Sequence, residues 1–223
     1  MTPVFSPSSR SRLTAYDLDR FPGGTLFHRV ARAICRAGCL PRKELYEAWE
    51  VSRRVRRLLR GGRVIDVAGG HGLLAHLLLV LDDSSPGAVV VDPQRPESSE
   101  TVSRELVSEW PRLDGRVSYM TKPLDQFAIR SDDLVVSNHA CGALTDRVID
   151  RATEAGASFA VVPCCHDFAT CDAGGVGGWV DRALAIDLTR AARARTLGYQ
   201  IWTQTIPPEI TPKNRLLLAK IHR

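Results

Sequence analysis

Hydrophobic residues in this chain form short runs that alternate with longer segments of helical periodicity. The short runs predict seven β-strands, at 64–67, 88–91, 116–121, 133–139, 158–163, 201–206 and 215–221. The longer segments predict helices at 25–38, 42–60, 73–79, 97–110, 143–155 and 178–197. Strands and helices alternate until two strands come together at the end. We therefore expect an α/β fold in which helices cover both faces of a mostly parallel sheet.

The same pattern predicts three parts along the chain. Residues 1–20 have few apolar positions and predict a flexible tail, whereas residues 21–61 predict a small, basic, helical N-terminal cap. All seven strands fall within residues 62–223, which we expect to form the main domain.

The first strand leads into a glycine-rich turn. Its last residues precede Gly69, Gly70 and Gly72, and an apolar helical segment follows. Glycines let the backbone approach a ligand closely, and the first turn of the helix points free N–H groups at it. Asp66 is suited to a polar or cationic part of that ligand. Asp92 follows the second strand 20 residues beyond Gly72, the spacing of a ribose-binding carboxylate in nucleotide-binding folds.

This segment, Asp66-Val-Ala-Gly69-Gly70-His71-Gly72, resembles the first motif of class I S-adenosylmethionine-dependent methyltransferases, with Ala68 where a glycine is usual. The resemblance implies a doubly wound, seven-stranded Rossmann-like sheet with a reversed last strand, and S-adenosylmethionine as cofactor. It also implies an adenine contact near the end of the third strand, which we assign to Asp125. The predicted cofactor residues are Asp66, Gly69, Gly70, His71, Gly72, Asp92, Asp125 and Asn138. The segment from Gly70 to Ala75 also fits a dinucleotide fingerprint, so a dinucleotide oxidoreductase is an alternative.

Polar and reactive residues crowd the ends of the fourth and fifth predicted strands, where ligands bind in folds of this kind. The segments 138–146 and 162–167 resemble a His-x-Cys-Gly-x-x-Thr-Asp element and a Cys-Cys-His element of the acceptor-stem tRNA 2′-O-methyltransferase family and its methyltransferase-like relatives. This resemblance covers about residues 63–221 and implies a tRNA ribose hydroxyl as methyl acceptor. The candidate catalytic residues are Asn138, His139, Cys141, His166 and Asp167.

Each candidate has a chemical rationale. His139 or His166 is suited to act as a base near neutral pH, and Asp167 could orient an imidazole. Asn138 could instead accept hydrogen bonds from an amino group, which keeps N-methylation open. A zinc site is another interpretation, with ligands among Cys141, Cys164, Cys165, His166 and Cys171. We expect no metal, because neighbouring cysteines point to opposite sides of a regular strand and the chain has no C-x-x-C pair.

Charge is distributed unevenly along the chain. Residues 1–63 contain 14 Arg and Lys against 5 Asp and Glu, a balance of +9, while the whole chain has a net charge of +5. One side of the second predicted helix could contact RNA phosphates through five arginines, namely Arg53, Arg54, Arg56, Arg57 and Arg60. No signal-peptide core or membrane-spanning run is present, so we expect a cytoplasmic protein.

The sequence thus predicts a methyltransferase that acts on RNA, with tRNA ribose as the expected acceptor. Two further alternatives stay open. One is a methyltransferase for a small molecule or a protein, and the other is a catalytically silent nucleotide-binding module.

Overall fold

A seven-stranded mixed sheet forms the centre of the computed structural model, which describes residues 5–221. Its strand order is β3-β2-β1-β4-β5-β7-β6, with β1 to β5 parallel and β7 antiparallel to both of its neighbours. The strands are β1 (Val64–Val67), β2 (Ala88–Val91), β3 (Val117–Met120), β4 (Leu134–Ser137), β5 (Ser158–Val161), β6 (Tyr199–Thr205) and β7 (Arg215–Ile221). The predicted doubly wound α/β fold, including its reversed last strand, is confirmed.

Within residues 5–221, six α-helices cover the two faces of this sheet. They are α1 (Leu26–Ala37), α2 (Arg42–Leu58), α3 (Leu73–Leu81), α4 (Ser98–Glu109), α5 (Ala143–Glu154) and α6 (Arg182–Thr196). Apolar residues of α1 to α4 share one core with one face of the sheet, and those of α5 and α6 share a second core with the other face. This two-sided burial explains why the central strands read as continuous apolar runs.

The N-terminal helices belong to the first of these cores. Val30 and Ile34 of α1 and Val55 of α2 are fully buried together with Leu77 of α3. The segment predicted as a flexible tail is also anchored, because Leu13 is fully buried and residues Ala15–Arg20 form a 3-10 helix against α1. Residues 1–4 of that predicted tail lie outside the described part of the chain.

The last helix starts later than the sequence pattern predicts. Asp181 caps α6 by accepting a hydrogen bond from the Leu184 backbone N–H, and the helix begins at Arg182 rather than at Gly178. Glycine is a poor helix former, and a capping aspartate defines a start. Residues 172–181 therefore form a glycine-rich connection before α6. None of the helices within residues 5–221 is long and apolar enough to cross a membrane.

Candidate active site

Two glycines of the turn between β1 and α3, Gly69 and Gly72, leave no room for a side chain. A Cβ on Gly69 would lie 2.6 Å from the carboxyl carbon of Asp66. A Cβ on Gly72, where φ is +71°, would lie 2.5 Å from the Tyr119 hydroxyl. At Gly70 an added Cβ would meet nothing within 4 Å, which shows that the turn faces open space. Ala68, which replaces the usual first glycine, adopts a left-handed φ of 54°.

Asp92 closes this turn from the neighbouring strand. It follows β2, and its carboxylate accepts a hydrogen bond of 3.1 Å from the Gly70 backbone N–H. A second bond of 2.9 Å comes from the Gln94 backbone N–H. The carboxylate is therefore fixed beside the glycine turn, where its predicted role in binding a ribose requires it.

Asp66 lies beneath the turn and is almost completely buried. Burial raises the pKa of its carboxyl to about 7, the hydrogen bond from the Ala75 backbone N–H opposes this rise, and the nearby Asp92 adds to it. A buried carboxylate with a single hydrogen bond is costly unless a cation joins it. Asp66 is therefore suited to a ligand that carries a positive group.

Asp66, Gly69 and Gly70 line a cleft of about 240 Å³ at the carboxyl ends of β1 and β4. Gly72 and Asp92, two other predicted cofactor residues, do not line it, although Asp92 is hydrogen-bonded to the turn at Gly70. Six of the predicted site residues lie in its lining, whereas Glu44 and Ala48 come from α2 and were not predicted. The sequence holds no local signal for them, because only the packing of α2 against α3 brings them to the glycine turn. The cleft is lined by Glu44, Ala48, Asp66, Ala68, Gly69, Gly70, His71, Leu73, Leu74, Asn138 and His139.

A second pocket, of about 420 Å³, adjoins this cleft. Asn138 and His139 line both cavities, so they lie at the boundary between them. Basic side chains also line the second pocket, namely Arg10, Lys43 and Lys213. The Asn138 side chain is nearly buried, and its Oδ1 atom has no hydrogen-bond partner among the described residues. This acceptor, at the boundary of the two cavities, is available to a hydrogen-bond donor of a ligand.

The two histidines that line the cofactor cleft are both held toward the neutral form. Desolvation by the neighbouring protein atoms lowers the pKa of His139, and the nearby Glu47 opposes this shift. The residue nevertheless keeps an exposed surface. Burial also lowers the pKa of His71, with His139 adding to the effect, and the His71 Nδ1 atom lies 2.7 Å from the Ser98 hydroxyl. A neutral imidazole at pH 7 can accept a proton.

His166 and Asp167, which the sequence suggested as catalytic residues, do not line either cavity. The His166 side chain is 2% exposed, and its Nε2 atom lies 2.8 Å from the carboxylate of Asp187 in α6. Asp167 does not orient an imidazole. Its carboxylate instead accepts hydrogen bonds from the Ala169 backbone and the Thr170 hydroxyl in its own loop. The partner of His166 was missed because Asp187 lies 21 residues further along the chain.

Two more assignments require correction. Asp125 is exposed and pairs with Arg147 of α5, because the chain leaves β3 at Met120 and forms an exposed 3-10 turn. It does not line the cofactor cleft. Arg56 cannot contact RNA, because it is buried and donates hydrogen bonds to the Leu78 carbonyl and the Ser85 hydroxyl. It also pairs with Asp82 at 3.3 Å.

The cysteines at the ends of β4 and β5 gather in one place. The sulfur atoms of Cys141, Cys164 and Cys165 all lie within 4.8 Å of one another, and Cys141 and Cys164 approach to 2.9 Å. Burial and the other thiols raise the pKa of Cys164, and burial also raises that of Cys141. Cys171 is not part of this group, since its sulfur accepts a hydrogen bond from Arg190.

The residues around the cleft fit S-adenosylmethionine. The glycine turn leaves space for a ligand, the buried Asp66 is suited to a cationic partner, and the Asp92 carboxylate is held against the turn by the Gly70 backbone N–H. Together with the reversed strand β7, this site defines a class I S-adenosylmethionine-dependent methyltransferase domain.

Comparison with known proteins leads to the same class. The chain belongs to a family described as a methyltransferase domain, whose sequence model matches residues 44–170, more than half of the 223 residues. The predicted enzyme class and its cofactor, S-adenosylmethionine, are thereby confirmed at the level of the domain.

Solved structures with this fold share little sequence with the chain. An O-methyltransferase family protein from Burkholderia thailandensis is 19% identical, with a TM-score of 0.53 over 92% of this chain and 62% of that chain. A ribosomal protein L11 methylase from Lactobacillus delbrueckii subsp. bulgaricus is 15% identical, with a TM-score of 0.51 over 81% of this chain and 79% of that chain. These likenesses concern the fold alone.

A curated relative from Xenopus laevis is described as a glutathione S-transferase C-terminal domain-containing protein. The two sequences are 32% identical over 108 residues, which cover 48% of this chain and 17% of the relative. The match therefore spans less than a fifth of that relative's length.

Proposed function

We propose that this protein methylates RNA, with a ribose 2′-hydroxyl as the acceptor. The observation that carries the proposal is the position of His139, which lines both the cofactor cleft and the adjoining basic pocket. S-adenosylmethionine supplies a methyl group that its positively charged sulfur activates. A neutral His139 at this boundary is suited to accept the proton of a hydroxyl held in the second pocket.

The second pocket has the charge that a nucleotide would require. Its basic side chains are Arg10, Lys43 and Lys213, and the only acidic residue in its lining is Glu47, which pairs with Lys43 at 3.2 Å. Arg10 and Lys213 make no ion pair within residues 5–221, so they are available to a phosphate.

Helix α2 extends this surface away from the pocket. Lys43, Glu47, Glu50, Arg54 and Arg57 follow one another at intervals of three or four residues and therefore lie along one side of the helix. This stripe is about 21 Å long. Its Lys43 pairs with Glu47 and its Arg54 with Glu50, so Arg57 is the cation of the stripe that makes no ion pair among residues 5–221. Arg53, Arg57 and Arg60 are exposed, whereas Arg54 is half-buried and bonds to Glu50 and the Thr205 carbonyl.

The direct test is to incubate the purified protein with S-adenosylmethionine and total tRNA, digest the RNA, and identify methylated nucleosides by mass spectrometry. The proposal expects a 2′-O-methylated nucleoside that is absent when Asp92 is replaced by alanine. Methylation of protein or small-molecule acceptors, with none of RNA, would contradict it.

Binding to RNA provides a second test through its salt dependence. The double variant Arg57→Ala/Arg60→Ala should reduce the slope of log affinity against log salt by about 1 to 2 if both side chains contact phosphates. Arg195→Ala is the matched control, because Arg195 is an exposed arginine of α6 on the opposite face of the sheet. An equal slope in all three proteins would remove α2 from the RNA-binding surface.

One observation favours a second candidate, methylation of an amino group. The unpaired Oδ1 atom of Asn138 could accept a hydrogen bond from an NH₂ group and hold its nitrogen at the boundary of the two cavities. The same digest separates the candidates, because base-methylated nucleosides without ribose methylation would favour the amine.

A further inference from the structure

Three thiols at the carboxyl edge of the sheet are held together by the backbone. Cys141 precedes α5, whereas Cys164 and Cys165 follow β5. The Gly142 backbone N–H donates a hydrogen bond of 3.0 Å to the Cys165 carbonyl and so joins the two connections. Gly142 has a φ of 56°, and a Cβ there would lie 3.3 Å from the Cβ of Asp167, so glycine permits this close approach.

The close approach of the three cysteine side chains removes the geometric argument against a metal site. Neighbouring cysteines point apart only in a regular strand, and β5 ends at Val161, before both of them. Packing does not explain the cluster either. Buried cysteines such as Cys35 behave as small apolar residues, but Cys141 and Cys165 are exposed.

The spacing of the sulfur atoms suits a tetrahedral metal ion. Two thiolates on one zinc ion lie about 3.8 Å apart when each Zn–S bond is about 2.3 Å. The sulfur atoms of Cys141 and Cys164 are 2.9 Å apart, and all three sulfur atoms lie within 4.8 Å of one another, so small side-chain movements would give that spacing.

His166 offers a fourth ligand beside this cluster. Its Nδ1 atom is buried without a hydrogen-bond partner among the described residues, while its Nε2 atom faces Asp187 at 2.8 Å. Asp187 is fixed in turn by Arg190 and Arg215. A carboxylate on one ring nitrogen and a free second nitrogen is the usual arrangement of a metal-binding histidine. The His166 ring does not belong to the group whose ligand atoms all lie within 4.8 Å of one another. Zinc binding would therefore require the ring and the sulfur of Cys165 to move closer together.

We propose that Cys141, Cys164 and Cys165 bind a zinc ion, with His166 Nδ1 as the fourth ligand. The ion would tie the connection after β4, which carries Asn138 and His139, to the connection after β5, which supplies Cys164 and Cys165 to the wall of the second pocket. Four protein ligands would make this a structural site that fixes the acceptor side of the active site.

The test is the metal content of the full-length protein, purified with a reductant and without added metal or chelator. We expect about one zinc ion per chain, and loss of that zinc in Cys141→Ser and Cys164→Ser. Cys39→Ser is the matched control, because Cys39 lies in the N-terminal segment, and it should keep its zinc. A wild-type protein without zinc that also fails to bind added Zn²⁺ at micromolar concentration would overturn the proposal.

Cobalt substitution gives a readout that does not depend on the folding of a variant. Co²⁺ added to the metal-free wild-type protein should produce an intense thiolate-to-metal charge-transfer band. Asp187→Asn should weaken metal binding by about 10 to 100-fold, and His166→Asn by at least as much. Unchanged affinity in His166→Asn would contradict the four-ligand site. A protein that binds no metal and forms a Cys141–Cys164 disulfide once the reductant is removed would overturn the zinc site and assign the cluster to redox chemistry.

Discussion

Asp66 is an ionisable residue in a buried position, a combination that is energetically costly in a folded protein. Its side chain is almost completely buried, and its carboxyl accepts one backbone hydrogen bond, from Ala75. Its position on β1, directly before the glycine turn, gives it access to the cofactor cleft. Binding of a cationic ligand would offset the energetic cost of ionising this buried carboxyl.

This cost predicts a specific dependence of stability on pH. The pKa of Asp66 is raised to about 7 in the folded state, so the folded protein binds this proton more tightly than the unfolded chain does. Stability should therefore fall as pH rises from about 4 toward 7. Asp66→Asn should be more stable than the wild type by roughly 2 to 4 kcal/mol at pH 8, and by less at pH 5.

Urea unfolding at the two pH values, without cofactor, measures this difference. The same variant should bind S-adenosylhomocysteine more weakly, because the amide cannot pair with an ammonium group. A stability difference that is the same at pH 5 and pH 8 would show that Asp66 does not change its protonation between them.

His139 is the residue on which the chemistry of the proposed function depends. His139→Gln should lower kcat for RNA methylation by roughly 10² to 10⁴-fold, because it removes the proton acceptor. Binding of S-adenosylhomocysteine should survive, since the backbone and the carboxylates of the cleft remain. His71→Gln is the comparison within the same cleft, and an equal loss of kcat in both variants would indicate damage to the cofactor site instead.

Helix α2 performs two tasks. Its first half carries Glu44 and Ala48 to the cofactor cleft and Lys43 and Glu47 to the second pocket. Its last turns pack against α3, where Arg56 is buried and bonds to the Leu78 carbonyl. Burial lowers the pKa of Arg56 to about 10 and Asp82 opposes this shift, so the guanidinium remains charged at neutral pH.

Different burial predicts different effects on stability for the neighbouring residues Arg56 and Arg57. Arg56→Ala should destabilise the protein by roughly 2 to 4 kcal/mol, because Asp82 and the Leu78 carbonyl lose a buried charged partner. Arg57→Ala should change stability by less than about 0.5 kcal/mol, since Arg57 is exposed. Thermal or urea unfolding compares them directly. Similar losses in both variants would contradict the orientation of α2.

The sheet could be predicted from the sequence because strands that are buried on both faces form continuous apolar runs. The turn between β1 and α3 could be predicted because it needs glycines at fixed positions. Prediction failed where side chains from distant elements decide a role. The His166 ring is hydrogen-bonded to Asp187 of α6, and the Arg56 side chain is buried because α2 packs on α3. The helical period could have separated Arg56 from Arg57, because four arginines within five positions cannot share one side of a helix.

The second pocket could not be predicted from the sequence either, because it is also built from distant elements. Its walls come from the N-terminal segment, α2, the connections after β4 and β5, and the loop before β7. No local motif describes a cavity assembled from five distant parts of the chain. Its basic character was visible only as an excess of charge in residues 1–63.

The most direct measurement is a calorimetric titration of the purified protein with S-adenosylhomocysteine, repeated with Asp92→Ala and Asp125→Ala. Both variants remove one carboxylate, but only Asp92 lies against the glycine turn. We predict binding in the micromolar range that Asp92→Ala abolishes and Asp125→Ala leaves unchanged. No binding by the folded wild-type protein, or equal loss in both variants, would contradict the assignment of this cleft to the cofactor.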